Sequence, residues 1–494
     1  MKRVSLDTCL TLPNRLRGVC EDRTRWRSLG PNEQHGDTGA NMMWPRREPA
    51  VRKRVRPTRP LLLAFLSVIA VGTALLMLPI SSTGSEAAPF RDAVFTSASA
   101  VTVTGLTVVD TASYWTGFGE AVLLVLMQLG GLGIMTFTAL LVVIIGGRLG
   151  MRRRQAAQAE QGILDPGEIK RVIIGVAILS AAIETLLAIV LFLRFLTLGL
   201  SPGNAAWDAA FQSVSAFNGA GFCLFTDSLA RFQGDVIVLG VIAIGIIAGG
   251  LGVPVWADLT RRKRMGLKHR RWSFHTRLTL MGTAILLVLG FLVITIFEWT
   301  NPGTLGGMPV GERVLNGAFQ AVTPRSAGFS TVDVGSMREE TLLFTDFLML
   351  IGGGSVSPAG GIKVTTMLVL VLATTASLKG AADVQFIGRR LPTAAIRQAL
   401  AVTVIFAGSI LVGTIALLIA ADVGLNAALF EVTSAFTTTG LSTGITGSLP
   451  GVAQGILIVL MVVGRLAPQL LGAALVLRET GTTYRYPEER PIVG

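Results

Sequence analysis

Eight stretches of this chain are apolar for about 20 residues or more, at about 61–80, 120–146, 171–198, 235–256, 278–298, 341–378, 393–421 and 452–478. A helix needs about 20 such residues to cross a ~30 Å hydrocarbon layer. A chain carrying eight of them reads as a multi-pass, all-α membrane protein with eight spanning helices. The residues are 51% hydrophobic and only 15% charged, and mean hydropathy is +0.62. Three Cys and three His in 494 residues leave no disulfide framework and no Cys/His metal cluster, and no Gly-Lys-Ser phosphate loop is present.

Basic clusters at 148–154, 261–277 and 379–397 alternate with poorly basic connections at about 81–119, 199–234, 299–340 and 422–451. Positive charge stays on the cytoplasmic side, so both termini and the first set are expected there, with the second set outside. Residues 1–60 hold 14 Lys/Arg against 6 Asp/Glu, most of the net +13. An Arg-rich arm raises nucleic-acid binding. This one precedes a span and carries Pro45, Pro57 and Pro60, so 1–57 reads as a disordered cytoplasmic arm that helps set topology, with no nucleic-acid partner. Met42 and Met43 offer later starts, and no cleaved signal peptide is expected. Residues 481–494 are expected to form a cytoplasmic tail.

The four outward connections each hold an apolar stretch too short to cross, then small polar residues and glycine. Such chain at membrane depth reads as a re-entrant loop, tolerated only where it lines a wet cavity or is buried in protein. An internal repeat supports this. One frame appears from Phe95 (F-T-S-A-S-A-V-T-V-T-G), Phe211 (F-Q-S-V-S-A-F-N-G-A-G) and Phe430 (F-E-V-T-S-A-F-T-T-T-G), with a copy one residue shorter from Phe319 (F-Q-A-V-T-P-R-S-A-G). The terminal glycines, Gly105, Gly221, Gly328 and Gly440, are 116, 107 and 112 residues apart. Four tandem helix–re-entrant loop–helix units, over 58–150, 151–260, 261–380 and 381–480, imply a pseudo-fourfold arrangement.

Four such loops around one axis suit a cation filter, in which backbone carbonyls replace the water of a desolvated ion. Glycine permits the restricted φ that turns successive carbonyls to one side. The C-terminal ends of the preceding half-helices favour a cation in the cavity. The alternative is that these glycines serve only close helix packing.

Several stretches resemble the membrane subunit of the Trk/Ktr potassium transporter superfamily, and most closely the Ktr type. They are S-A-V-T-V-T-G-L-T-V-V-D-T (99–111), Q-L-G-G-L-G-I-M-T-F (128–137), S-A-F-N-G-A-G-F (215–222), Q-A-V-T-P-R-S-A-G-F-S-T-V-D (320–333), A-G-G-I-K-V-T-T (359–366) and F-E-V-T-S-A-F-T-T-T-G-L-S-T-G-I-T (430–446). The resemblance covers about residues 58–480. It implies potassium uptake across the bacterial plasma membrane, a homodimer in the lipid bilayer, and a cytoplasmic ring of nucleotide-binding, RCK-type regulatory subunits. Potassium is then substrate, sodium a candidate activator, and no cofactor is bound by the chain itself.

The resemblance also implies filter residues: Val103, Thr104 and Gly105; Asn218, Gly219, Ala220 and Gly221; Ser326, Ala327 and Gly328; Thr438, Thr439 and Gly440. In related plant transporters a serine at the first glycine accompanies sodium preference, so Gly105 implies potassium. Only the first loop is similar to the T-V-G of potassium channels, which implies softer selectivity.

Asp110, Asp227 and Asp333 follow three of the glycines by five or six positions, while Ile445 stands in the fourth copy. They read either as an incomplete acidic ring that concentrates cations or as local hydrogen-bonding groups. A second glycine repeat starts at Gly130, Gly249, Gly352 and Gly464 and predicts one common depth below the filter. In the third copy it expands to G-G-G-S-V-S-P-A-G-G over 352–361, too rich in Gly and Pro for continuous helix. This matches the family's intramembrane gating loop, with Gly352, Gly353, Gly354, Ser355, Gly360 and Gly361 in it and Lys363 just past it. Pro358, and Val356 in place of a smaller residue, imply a stiffer loop.

Arg465 lies inside an apolar run and is expected to face a cavity or a partner. The family pattern G-R-x-G-P reads G-R-L-A-P here, with Ala467. Glu184 is a buried structural partner or a weaker site candidate; Lys363 is a weaker one that snorkels inward in the alternative reading. Cys223 reads as a packing residue. A sodium- or proton-coupled Trk-type symporter is the nearest alternative. A membrane enzyme is disfavoured because His35, His269 and His275 all fall in basic stretches and no His-Ser or paired-Asp constellation is read in the spans.

Overall fold

The computed structural model describes residues 58–84, 87–154, 166–264, 272–381 and 383–477. The expected arm at 1–57 and tail at 481–494, with His35 and His269, lie outside the described residues. Fifteen α-helices run through the described chain and are grouped in chain order. The first is α1 (Thr58–Leu76), α2 (Phe90–Thr102), the single turn α3 (Thr111–Tyr114) and α4 (Gly117–Arg154). The second is α5 (Pro166–Thr197), α6 (Pro202–Asn218), α7 (Val236–Leu251) and α8 (Val253–Arg264). The third is α9 (Phe274–Glu298), α10 (Val310–Val322), α11 (Glu339–Leu350) and α12 (Val364–Leu378). A small antiparallel hairpin, Gln385–Phe386 with Arg389–Arg390, leads to the fourth group, α13 (Thr393–Ala420), α14 (Leu425–Thr437) and α15 (Gly451–Leu477).

Among the described residues, four helices are long and apolar enough to cross a membrane: Gly117–Ala139 of α4, Ile173–Thr197 of α5, and the whole of α9 and α13. The pair α7–α8, bent by 95°, counts as a fifth if it is one span. Shorter apolar helices cover Leu62–Leu76, Val364–Leu378 and Gly451–Ala467. These helices turn large apolar side chains outward, such as Leu186 at 63%, Val412 at 67% and Ile419 at 83% exposure. In water that surface would drive aggregation; against lipid it costs nothing.

The short helices α2, α6, α10 and α14 are the interior. Their starts suit helix initiation: Pro89 and Pro309 precede α2 and α10, and Ser201 accepts from the Asn204 amide (3.4 Å) ahead of Pro202. The repeated phenylalanines Phe95, Phe211, Phe319 and Phe430 are all buried, which anchors each short helix at the same point. Helices α2, α6 and α14 end on a residue in the left-handed region, Val103 (φ 55), Gly219 (φ 68) and Thr438 (φ 51). Such a cap stops the helix by turning its last amides back onto carbonyls one turn earlier. The shorter third copy stops at Val322 and reaches the same conformation at Ser326 (φ 65).

Two helices of the inner set are interrupted. Helix α7 gives way to α8 at Gly252 (φ 86). Between α11 and α12 the chain leaves the helix from Ile351 to Lys363 and closes on itself through Gly352 N–H to Ile362 O (2.9 Å) and Ile362 N–H to Leu350 O (2.9 Å). Ten residues with five glycines and a proline do not sustain a helix, so the break sits at the composition that predicts it.

Candidate functional site

The four terminal glycines of the repeat meet. A Cβ on Gly105 would strike the Ala220 carbonyl and stand 3.0 Å from Gly221 Cα. On Gly221 it would lie 2.8 Å from Ala327 O and 3.0 Å from Gly328 Cα. On Gly328 it would lie 2.8 Å from Thr439 O and 3.2 Å from Gly440 Cα, and on Gly440 it would strike Thr104 O, 3.0 Å from Gly105 Cα. Each glycine abuts the next, in chain order, and the last abuts the first. All four have positive φ, at 92, 73, 71 and 91°.

Two residues earlier the same conformation recurs, at Val103, Gly219, Ser326 and Thr438. For β-branched Val103 and Thr438 this costs about 1–3 kcal/mol each and persists only where neighbours enforce it. In the first loop the Thr104 and Gly105 amides donate to Ser99 O (2.8 Å) and Ser99 Oγ (3.0 Å), and the Thr102 and Thr104 hydroxyls pair at 2.8 Å. The fourth loop repeats this network with Thr439, Gly440, Ser434 and the Thr437–Thr439 pair at 2.9, 3.0 and 2.8 Å. In the second loop the Ala220 amide donates to Ser215 O (2.8 Å), and the Ser215 hydroxyl donates to Phe222 O (2.8 Å).

Behind the second loop, Asn218 Nδ2 donates to Gln128 Oε1 (2.7 Å) and approaches Glu184 Oε1 (3.2 Å), while Gln128 Nε2 donates to Glu184 Oε2 (2.9 Å). Glu184 is buried, and its visible role is to brace the loop from the rear.

The second glycine repeat serves packing. A Cβ on Gly130, Gly249 or Gly464 would strike the carbonyl of Val101, Phe217 or Phe436, each four residues before a ring glycine. These glycines let α4, α7 and α15 press against the ends of α2, α6 and α14. Gly352 has no such role; it abuts Gly360 O across the break.

The loop 351–363 is held between the α7–α8 bend and the ring. Gly354 N–H donates to Gly250 O (2.7 Å) and Val253 N–H to Val356 O (3.1 Å), joining it to the α7–α8 bend. Gly353 is wedged beside Gly250 O and Ala359, and Gly361 takes positive φ (65°). Gly360 N–H donates to Ser326 Oγ (3.0 Å), and Ser326 Oγ donates to Thr438 O (2.7 Å). Arg465 is 1% exposed; its Nη1 donates to Pro358 O and reaches Thr438 Oγ1 at 3.4 Å, while Nε and Nη2 find no partner among the described residues. Lys363 Nζ donates to Ala359 O (2.5 Å) and faces a cavity of about 320 Å³ with Ser355 and Thr365.

On the other side of the ring a second cavity, about 380 Å³, is lined by all four ring glycines. Asp110 lines it; Asp227 and Asp333 do not. Asp110 also caps α3, accepting from the Ala112 amide (3.2 Å) and Ser113 hydroxyl (2.7 Å). Asp333 accepts likewise from Gly335 N–H (3.0 Å) and Ser336 (2.6 Å). Cys223 lines this cavity but is nearly buried, with Gln212 Nε2 donating to its Sγ (2.9 Å).

Sequence reasoning missed Arg325, Gly252 and the Ser326 bridge. Arg325 is 7% exposed and holds Thr283 through contacts of 3.3 and 3.4 Å. Its signal was available, since an arginine interrupts the third loop three residues before the glycine.

The family described as TrkH, cation transport protein, matches residues 39–477. The chain belongs to the TrkH family. The Ktr system potassium uptake protein B of Bacillus subtilis is 39% identical over 442 residues, covering 89% of this chain and 97% of the relative. The protein of the same name from Vibrio alginolyticus is 35% identical, covering 88% and 94%. The potassium/sodium uptake protein NtpJ of Enterococcus hirae is 34% identical, covering 90% and 98%. The crystal structure of the potassium transporter TrkH from Vibrio parahaemolyticus superimposes with a TM-score of 0.68 at 20% identity, over 88% of this chain and 87% of that one. The helical membrane fold is thus TrkH-like.

Proposed function

We propose that this chain is the ion-translocating subunit of a Ktr-type potassium uptake system in the bacterial plasma membrane. The observation that carries the reading is the closed circuit of Gly105, Gly221, Gly328 and Gly440, each beside the next and each in a conformation suited to glycine. In this reading four helix–loop–helix units surround one axis, with eight passes: α1, α4, α5, α7 with α8, α9, α11 with α12, α13 and α15. Residues 103–105, 218–221, 326–328 and 438–440 form the filter, and the 380 Å³ cavity is its outer mouth.

A hydrated cation enters the outer cavity, where Asp110 raises its local concentration. Backbone oxygens of the four loops replace its water, and the strained, hydrogen-bonded loops hold those oxygens without reorganising as the ion arrives. Below the ring, loop 351–363 obstructs the path, and the buried guanidinium of Arg465 adds a positive charge on the same side. Conduction then requires the loop to leave. A homodimer with a cytoplasmic, nucleotide-binding regulatory ring would supply that control, as the relatives' naming as parts of a system suggests.

The test is reconstitution of the purified chain in liposomes, with potassium, rubidium and sodium flux measured with and without a co-purified regulatory subunit. Saturable potassium flux that the subunit increases is the expected result. Ion-independent leakage would sink the filter reading. A relative named for both potassium and sodium keeps a coupled symport in view. A reversal potential that follows the sodium or proton gradient would favour it.

A further inference from the structure

The layer of the ring two residues inside the glycines is not fourfold in its chemistry. Its members are Val103, Gly219, Ser326 and Thr438, and only the last two carry hydroxyls. Those two are neighbours, joined by Ser326 Oγ donating to Thr438 O at 2.7 Å. They are also the two that the loop touches: Gly360 N–H donates to Ser326 Oγ at 3.0 Å, and Arg465, which holds Pro358, reaches Thr438 Oγ1 at 3.4 Å. Gly360 presses on this quadrant so closely that a Cβ there would strike Thr437 O and Thr438 Oγ1. The ring is therefore polar where the loop docks and nonpolar opposite.

We propose that Ser326 is a positioning residue that couples cation occupancy of the inner edge of the ring to the position of loop 351–363. This rests on the filter and gate reading above and deepens it. With the loop docked, the Ser326 oxygen is occupied by the Gly360 amide proton, and the Thr438 carbonyl by the Ser326 hydroxyl proton. A hydrogen aimed at an oxygen competes with a cation for the same lone pairs. The docked loop thus lowers the cation affinity of that edge. Its withdrawal frees the Ser326 oxygen and lets the hydroxyl rotate away from the carbonyl. By reciprocity, a cation settling at that edge favours withdrawal to the same degree. The ring does more than select; it reports its occupancy to the loop.

The test is a double-mutant cycle on the full-length chain purified in detergent, with potassium binding read by titration calorimetry and rubidium flux read in liposomes. One arm deletes Gly353–Gly360. The other is Ser326→Gly, which removes the hydroxyl yet suits the local φ of 65°. With Ser326 intact, loop deletion should tighten potassium binding by about 3- to 10-fold, the range one net hydrogen bond supports. In the Ser326→Gly background the same deletion should change affinity less than about 1.5-fold, although flux still rises. Ser326→Thr, β-branched like Thr438 at the matching position, should restore the shift. An equal affinity shift with and without the hydroxyl would overturn the coupling while leaving filter and gate standing. Absence of saturable potassium binding in every form, or of any flux gain on loop deletion, would sink the underlying reading and the coupling with it. Should Ser326→Gly not fold, Ser326→Ala enters the cycle and is judged by the same criterion.

Discussion

Gly105 shows how little room the ring leaves. A side chain there must fit against the Ala220 carbonyl at φ 92°, a conformation that L residues rarely adopt. Gly105→Ser is expected to lower the potassium-to-sodium flux ratio by about tenfold, equal to 1.4 kcal/mol and inside the 1–3 kcal/mol range of such strain. Paired flux assays in liposomes check this; an unchanged ratio with transport intact would remove Gly105 from the filter. Arg465 poses the opposite problem, a buried charge with three of its five N–H donors, those on Nε and Nη2, unpartnered. Arg465 holds Pro358 and, in the proposed function, repels a passing cation, so Arg465→Ala should raise rubidium flux several-fold. Arg465→Lys separates the two effects, since lysine keeps the charge but not the planar fork. Lysine behaving as wild type would mean charge dominates; lysine behaving as alanine would mean the tether does. Loss of expression with no flux gain would make Arg465 a structural residue.

Helices α4, α7 and α15 owe their depth to glycines that allow contact with the ends of α2, α6 and α14. Gly130→Ala, Gly249→Ala and Gly464→Ala should each destabilise by about 1–3 kcal/mol, because the added methyl would overlap a backbone carbonyl that cannot step aside. Gly133→Ala, with open space at its Cβ in the same helix as Gly130, should be neutral or slightly stabilising. Thermal unfolding in detergent distinguishes them, and equal effects at Gly130 and Gly133 would discard the packing account. The loop between α11 and α12 belongs to this scale as well. Deleting Gly353–Gly360 removes the loop's contacts with Gly250, Ser326 and Arg465. Flux should rise and depend less on a regulatory subunit. A folded deletion variant that stays slow and fully dependent would argue against gating.

At the scale of the molecule, long helices buried over only 28–44% of their apolar windows surround short helices whose C-terminal halves are buried. The lipid-facing shell supplies insertion, while the interior supplies strained loops and close carbonyls. This division explains why the ring tolerates left-handed valine and threonine. The surrounding helices restrain the loop ends, and the cost is spread over many contacts. The rear brace of Glu184, Gln128 and Asn218 links the first two units behind the ring. Glu184→Ala should leave Gln128 Nε2 without its acceptor, while Asn218 Nδ2 keeps Gln128 Oε1 and Val214 O. It should lower stability by about 1–3 kcal/mol, measured by detergent thermal unfolding, and Glu184→Gln should recover much of that loss.

Four of the apolar runs, the repeat frame and the ring glycines were legible because each is a local property, whereas the remaining runs fold as shorter or bent helices. An apolar run of about 20 residues has one stable place, and four copies of a glycine frame need no alignment to be seen. The loop at 352–361 was legible for the same reason, since five glycines and a proline forbid helix wherever they stand. What the second glycine repeat does was not legible, because packing against Val101, Phe217 and Phe436 depends on where α2, α6 and α14 end. The cap roles of Asp110 and Asp333 depend on turns that spacing alone does not specify. Least visible was the junction of loop and ring. Ser326 meets Thr438 across 112 positions and Gly360 across 34, and Arg465 meets Pro358 across 107. Those contacts exist only because separate units close on one another. Sequence determines which chemical groups each unit carries, and only the closure in space decides which of them come within hydrogen-bonding distance.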